Sequence, residues 1–248
     1  MTSNLFLIKQ TSLHFPYALL DGEEHYHLSK VVRVKPGEKV WLCDECGVRY
    51  LGRVENINQE STKLLILEKA EKEEPKVKIT LAQALIRQKK MDFIVQKSTE
   101  LGISFFVPVE TARSIIRIGD KVEKKIERWQ KIAREASKQS KSFLVPLIMP
   151  PQPLKTLLRE RREAKKLLLS ERRGIFLKEI LIQDSTSRIA SPPRSVLILV
   201  GPEGGWTNEE EKDIVDHGYE AISLGKQILK AETASFCALA LISHFWNL

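Results

Sequence analysis

The sequence predicts an α/β domain with a largely parallel sheet, preceded by a small β-barrel or β-sandwich. Three observations carry this. From residue 79 onward, apolar strand-like runs alternate with amphipathic helical stretches, the pattern of βαβ units. The first seventy residues instead hold short strand-like runs broken by turn residues. Between them, Glu68 to Lys78 reads "EKAEKEEPKVK", charged, poor in apolar residues and carrying Pro75. The expected division is a β domain over 1–70, a charged join over 71–78 and an α/β domain over 79–248.

In the β domain, "KVWLC", "VRYLGRVENI" and "KLLILEKA" are the expected strands, and Lys35-Pro36-Gly37 and Cys46-Gly47 supply turns. Cys43 and Cys46 are spaced C-x-x-C, but they lie between two strand-like runs, where a hairpin turn is the better reading. In the α/β domain, Val77, Ile79 and Leu81 alternate as in a strand. Met91, Ile94, Val95, Ser98 and Leu101 then share one helical face, and Gly102 is placed to end that helix. The run "ISFFVPV" is the next strand. Val122, Ile126, Trp129, Ala133 and Ala136 mark a second amphipathic helix. "KKLLLS", "SVLILV" and "YEAISL" complete the strands.

Three cysteines, an odd number, argue against a disulfide framework, and no His or Cys set has metal-ligand spacing, so no metal is expected. No apolar run reaches the length of a membrane span. The first residues lack a signal-peptide pattern, and the expected location is the cytoplasm. The formal net charge of +8 fits a polyanionic partner.

The chemistry is expected in two loops. "SVLILV" runs into Gly201-Pro202-Glu203-Gly204-Gly205, at the carboxyl end of a strand, where open α/β sheets bind ligands. Glycines let a backbone approach a ligand closely, whereas Glu203 would repel a phosphate. Thr207 and Glu210 have the spacing of a helix capping box, which explains both. Glu203 has no such explanation. The second loop lies in "SLGKQILKAETASF", Ser223 to Phe236, where Gly225 ends a strand and the last helix begins near Ala231. Glu232 falls in the first turn of that helix. Its interaction with the helix dipole accounts for it as readily as a catalytic role does. Walker A, G-x-G-x-x-G, G-x-S-x-G and H-E-x-x-H signatures are absent.

"LVGPEGGWTNEE" followed by "LGKQILKAETASFCALALI" resembles the carboxy-terminal signature of the bacterial 16S ribosomal RNA uridine-N3 methyltransferases, of the SPOUT superfamily. "KKMDFIVQKSTELGISFFVPVETARS" and "RWQKIAREASKQSKSFLVP" resemble the family's upstream helices and strand. "HLSKVVRVKPGEKV" resembles its PUA-like RNA-binding module. The resemblance spans nearly the whole chain. It implies a trefoil-knotted α/β methyltransferase domain behind a PUA-like β-barrel, a homodimer, and S-adenosylmethionine bound in bent form by main-chain groups. The periodicity of the residues gives no hint of the knot.

By the same resemblance, Leu169, Glu171, Leu199, Gly201, Glu203, Gly204, Leu224, Gly225, Ile228 and Leu229 are expected to bind the cofactor. Glu232 or Glu203 would assist removal of the uridine N3 proton, and Lys230 could instead stabilise charge on a uracil oxygen. Two departures stand out. Gln227 and Lys230 occupy positions where the family usually carries arginine, and Asn4 stands where it tends to place another. The expected partner is 16S rRNA of the small ribosomal subunit. His27, Lys30 and Arg33 in the first domain, and Arg87, Lys89 and Lys90 before the long helix, are the candidate phosphate contacts. The basic residues from Lys121 to Lys138 alternate with Glu123, Glu127 and Glu135 and read as a solvated helix face. Two alternatives remain: a knotted methyltransferase acting on another RNA, and a non-catalytic RNA-binding factor that retains the fold.

Overall fold

The computed structural model describes residues 4–247 except 45–46, 71–73, 115–118, 120–121, 141–143, 173 and 187–191. Cys46 and Lys121, and part of the charged join, therefore lie outside the described residues. The chain divides into two compact units, residues 1–74 with 138–145, and residues 75–137 with 146–248. The first boundary falls inside the charged join. The return of 138–145 to the first unit has no counterpart in the sequence reading.

The first unit is a six-stranded sheet. Its strands are β1 (Leu5–Ile8), β2 (Leu13–His14), β3 (Tyr17–Asp21), β4 (Lys39–Asp44), β5 (Arg49–Ile57) and β6 (Ser61–Ala70), in the order β1-β4-β5-β6-β3-β2. Alternating burial along β3 and β4–β6 delivers Leu20, Val40, Leu42, Val54 and Leu64 to one core with Phe6 and Leu28. β4 and β5 form the hairpin expected around the cysteines. Cys43 is buried in it, and burial, reinforced by the charge of Asp44 against that of Arg49, pushes its thiol up to about 11. That thiol stays protonated and inert at neutral pH. One part of this unit departs from the all-strand expectation. Gly22–Tyr26 form a short helix, α1, that continues as a π-helical turn over His27–Val32 and ends at Arg33 in the left-handed region (φ 60°, ψ 42°).

The second unit alternates as expected. It contains β7 (Lys78–Ala84), α2 (Gln88–Glu100), β8 (Phe105–Glu110), α3 (Val122–Gln139, all but its last two residues), β9 (Leu147–Ile148), β10 (Gln152–Pro153), α4 (Leu154–Glu160), β11 (Lys165–Leu169), β12 (Ile175–Phe176), α5 (Leu177–Thr186), β13 (Ser195–Val200), α6 (Asn208–Asp216), β14 (Glu220–Ser223) and α7 (Ala231–Asn247). All its recorded strand pairs are parallel, in the order β10-β8-β7-β13-β11-β14-β12, with β9 beside β8. β7 and β13 sit in the middle and are buried on both faces, so their sequences read as nearly unbroken apolar runs. Gly102 (φ 81°) ends α2 as expected, its N–H donating to Thr99 O at 3.0 Å. Among the described residues, no helix is long and apolar enough to cross a membrane.

Candidate functional site

β7, β13, β11 and β14 lie side by side and parallel, so their carboxyl ends share one edge of the sheet. The segments leaving three of these strands, within 169–171, 200–206 and 223–231, line one cavity of about 400 Å³, joined by Lys90 and Ala234. That volume lies in the range of sites for ligands of cofactor size.

The loop after β13 is held from several sides. Gly201 packs so closely on Trp206 that a Cβ there would come within 3.0 Å of the indole ring. The Trp206 Nε1 donates to Leu169 O at 3.1 Å, which fixes the ring between two lining segments. Gly205 adopts φ 65°, and its N–H closes a turn onto Pro202 O at 2.9 Å. Arg113 donates to Gly204 O at 2.7 Å and to Trp206 O at 3.3 Å, while Arg172 donates to Trp206 O at 3.2 Å and reaches Asn208. The capping box forms in full. Glu210 N donates to Thr207 Oγ1 and Thr207 N to Glu210 Oε2, both at 3.0 Å. Ser170, another lining residue, donates to the buried carboxylate of Glu211.

The loop after β14 is held more lightly. Ser223 Oγ bonds with the N–H and C=O of Gly225, which takes φ 151°. Lys226, Gln227, Ile228 and Lys230 are exposed, Ile228 to 75%. α7 starts at Ala231, as expected, with Glu232 in its first turn.

Charge converges at the mouth. The Lys90 ammonium lies 2.5 Å from Glu203 Oε1 and 3.3 Å from Glu232 Oε1, bridging residues that leave two different strands. The hydrogen bond to Glu203 is the largest cause that raises the Lys90 pKa, with burial opposing and Glu232 adding to it. Burial alone would push the Glu232 carboxyl up. The backbone N–H at the start of α7, then Lys90 and Lys230, outweigh burial and hold it below its ordinary value.

Eight of the ten residues expected at the cofactor line the cavity: Leu169, Glu171, Gly201, Glu203, Leu224, Gly225, Ile228 and Leu229. Leu199 does not. It is wholly buried in the core with Leu197, Leu168 and Trp206, because a central strand is covered on both faces. Gly204 does not line the cavity either. It is exposed, and a Cβ there would meet only the Arg113 side chain, at 3.4 Å or more. The glycine whose backbone turns into the left-handed region is Gly205, one residue on. Lys90, expected at an RNA phosphate, stands instead between the two carboxylates expected to be catalytic. Lys230 lines the cavity, and Glu232 reaches it through Lys90.

The other candidate RNA contacts fall on both units. Arg87 and Lys89 are exposed at the start of α2. In the first unit Lys30 and Arg33 are exposed on the π-helical turn, and the His27 ring packs against Phe6 with centroids 5.5 Å apart. On α3, Arg128 is bound to Asp92 through Nε and Nη2, the shorter contact being 2.7 Å. Among the described residues, no three His, Cys, Asp or Glu side chains gather in a metal-holding group.

Sequence reasoning missed Lys90 as a cavity residue, and also Ser170, Trp206, Ala231 and Ala234. Trp206 had a visible signal, an aromatic directly after paired glycines. Lys90 had none, since its partners lie more than a hundred residues away.

The chain matches the family model described as an RNA methyltransferase domain over residues 72–243, and that of an RNA methyltransferase PUA domain over residues 20–67. It is 32% identical to the ribosomal RNA small subunit methyltransferase E of Bacillus subtilis, over 96% of this chain and 94% of that one. It is 31% identical to the protein of the same name from Mesomycoplasma hyopneumoniae, over 85% and 87%. The crystal structure of a ribosomal RNA small subunit methyltransferase E from Neisseria gonorrhoeae, bound to S-adenosyl methionine, superposes with a TM-score of 0.81. It is 29% identical and 98% of each chain is covered. The chain belongs to the RNA methyltransferase family, in the branch of the ribosomal small subunit methyltransferases E.

Proposed function

We propose that this protein is an S-adenosylmethionine-dependent methyltransferase that modifies N3 of a uridine in 16S rRNA of the small ribosomal subunit. The observation that carries the reading is one cavity built from three strand-end segments, in a chain 32% identical over 96% of its length to a ribosomal RNA small subunit methyltransferase E. The cavity suits the cofactor. Leu169, Val200, Leu224 and Leu229 offer apolar surface, and glycine backbones at 201, 205 and 225 leave room for close approach. Glu171 and Glu203 offer negative charge to cationic groups. The cofactor supplies an electrophilic methyl group on a sulfonium centre.

The remaining chemistry falls to the chain. The imide nitrogen must lose its proton, and a carboxylate at the cavity mouth is the available acceptor. Glu232, kept ionised at neutral pH, and Glu203 both fit that role. The ammonium of Lys230 can stabilise negative charge on a uracil oxygen as the proton departs. With Lys230 replacing the arginine usual in the family, that contact is a point charge rather than a bidentate fork. Closure of the 224–230 loop would exclude water, which strengthens each of these interactions.

RNA would be gathered by Lys30, Arg33 and His27 in the PUA-like unit and by Arg87 and Lys89 in the α/β unit. A homodimer fits the apolar surface left on the α/β unit: Leu241 and Phe245 on α7 are 39% and 43% exposed, and Phe93 of α2 lies exposed beside Phe236. The trefoil knot belongs to the same proposal, with the loops after β13 and β14 as its threaded part. The test is methyl transfer from labelled S-adenosylmethionine to undermethylated small subunits or to transfer RNA, followed by mapping of the modified base. Label at N3 of a 16S rRNA uridine is expected. Label in transfer RNA alone, or none with either substrate, would overturn the reading.

A further inference from the structure

Beneath the cavity, buried polar side chains link the segments that line it. Gln83 is the hub. It sits in β7 among Ile79, Leu81, Ala82 and Ala84, and its exposure is 0%. Its Nε2 donates to Gly201 O at 3.3 Å and to Ala84 O at 3.1 Å. Its Oε1 accepts from Ser235 Oγ at 2.8 Å, and that hydroxyl also lies 2.9 Å from Ala231 O in the first turn of α7. Ser235 is likewise 0% exposed.

A polar side chain in an apolar strand costs stability unless its groups are paired, and here both ends are paired. The amide does both, donating to a carbonyl with one end and accepting from a hydroxyl with the other. A satisfied core residue that ties a sheet to a helix would show the same bonds. The identity of the partners says more. Apart from its neighbour Ala84, Gln83 reaches Gly201, a lining residue, and through Ser235 it reaches Ala231, another. Gly201 in turn is packed against Trp206, whose Nε1 is bound to Leu169 O. One amide thus joins the wall made by the loop after β13 to the wall made by the start of α7.

We propose that Gln83 is a positioning residue for the cofactor, setting the separation of these two walls from below. This rests on the reading of the cavity as the S-adenosylmethionine site. Gln83 touches no ligand itself. It pins the Gly201 carbonyl inward, so that residues 202–205 leave the strand from a fixed point. Through Ser235 it holds the first turn of α7, with Ala231 and Ala234, at a fixed distance from that point.

The test compares wild type, Gln83→Met and Ser235→Ala for cofactor affinity by calorimetry, for melting temperature, and for kcat and the cofactor KM. Gln83→Met removes the bonds to Gly201 O, Ala84 O and Ser235 Oγ, and Ser235→Ala those to Gln83 Oε1 and Ala231 O, so both should melt earlier, Gln83→Met the more. Only Gln83→Met releases Gly201. Its Kd for S-adenosylmethionine should rise at least about tenfold, against about threefold or less for Ser235→Ala. The cofactor KM should rise in parallel, with kcat at saturation changed by less than about twofold. Lost stability alone would lower the melting temperature and leave the Kd of the folded protein near that of the wild type. Should Gln83→Met not be recovered folded, Gln83→Asn takes its place, keeping the amide on a side chain one methylene too short to reach Gly201. A folded Gln83 variant that binds as the wild type does would overturn the role. A wild-type protein that fails to bind S-adenosylmethionine would instead remove the functional reading, and the role of Gln83 with it.

Discussion

The loops after β13 and β14 line the same cavity but are built differently. The first is fixed before any ligand arrives, by Gln83 and Trp206 at Gly201, by a closed turn at Gly205, by Arg113 and Arg172 on its carbonyls and by the Thr207–Glu210 box. The second has the Ser223–Gly225 bonds at its start and then runs exposed through Ile228. The site therefore has one rigid wall and one soft wall. A rigid wall lowers the ordering cost of binding, and a soft one can close over a ligand once it is in place.

The comparison breaks most sharply at Gly201. A side chain there collides with the Trp206 ring, so Gly201→Val should weaken cofactor binding about a hundredfold or more, roughly 3 kcal/mol. Gly205 and Gly204 sharpen it within the same wall. Gly205→Val forces a branched residue to φ 65° beside Glu171 and should cost about tenfold in affinity, in line with strain of ~1–3 kcal/mol. Gly204→Val, one residue earlier and pointing at Arg113, should stay within about twofold of wild type. Calorimetry on the three proteins gives the order directly. Equal losses at 204 and 205 would mean that the loop is not held as described.

Lys90 tests the link across the mouth. In the wild type, Glu232 is held below its ordinary value of 4.5, so its contribution is complete above that value and lost as pH falls through the lower folded value. Without Lys90, burial meets less opposition and the carboxyl titrates at higher pH. The affinity of Lys90→Met for the cationic cofactor should therefore begin to fall at a higher pH on acidification than that of the wild type. Parallel profiles would show that Lys90 does not control Glu232. On the soft wall, Ile228→Ala should weaken binding by about threefold if the loop closes and buries that side chain, a modest loss of apolar area. The smallest effect on affinity belongs to Thr207→Ala. It should cost about 1 kcal/mol of stability through the lost cap, read as a lower melting temperature, with the cofactor Kd unchanged.

What the sequence made legible follows the range of the interactions. The two loops, the capping box, the start of α7 and the strand–helix alternation depend on neighbours in the chain, and each was readable there. Which glycine of Gly204-Gly205 carries the positive φ was not, because both satisfy the same local pattern. Leu199 is expected at the cofactor by resemblance alone, and the central strand that carries it is covered on both faces, so its side chain lies in the core. The helical excursion from Gly22 to Val32 was hidden in a stretch of mixed polarity without clear period. Charge alone points Lys90 to an RNA phosphate, and only the folded chain brings it to Glu203 and Glu232. Gln83 did leave a trace: it is the one amide in the apolar run "TLAQALI".

Amide hydrogen exchange with and without S-adenosylmethionine tests the two-wall site most directly. The backbone amides of Gly205 and Thr207, which donate to Pro202 O and Glu210 Oε2, should be protected in the free protein and change little on binding. Those of 224–230 should exchange fast when free and gain protection when the cofactor is present. Protection gained equally in both loops would contradict a preformed wall, and protection gained in neither would contradict the placement of the cofactor in this cavity.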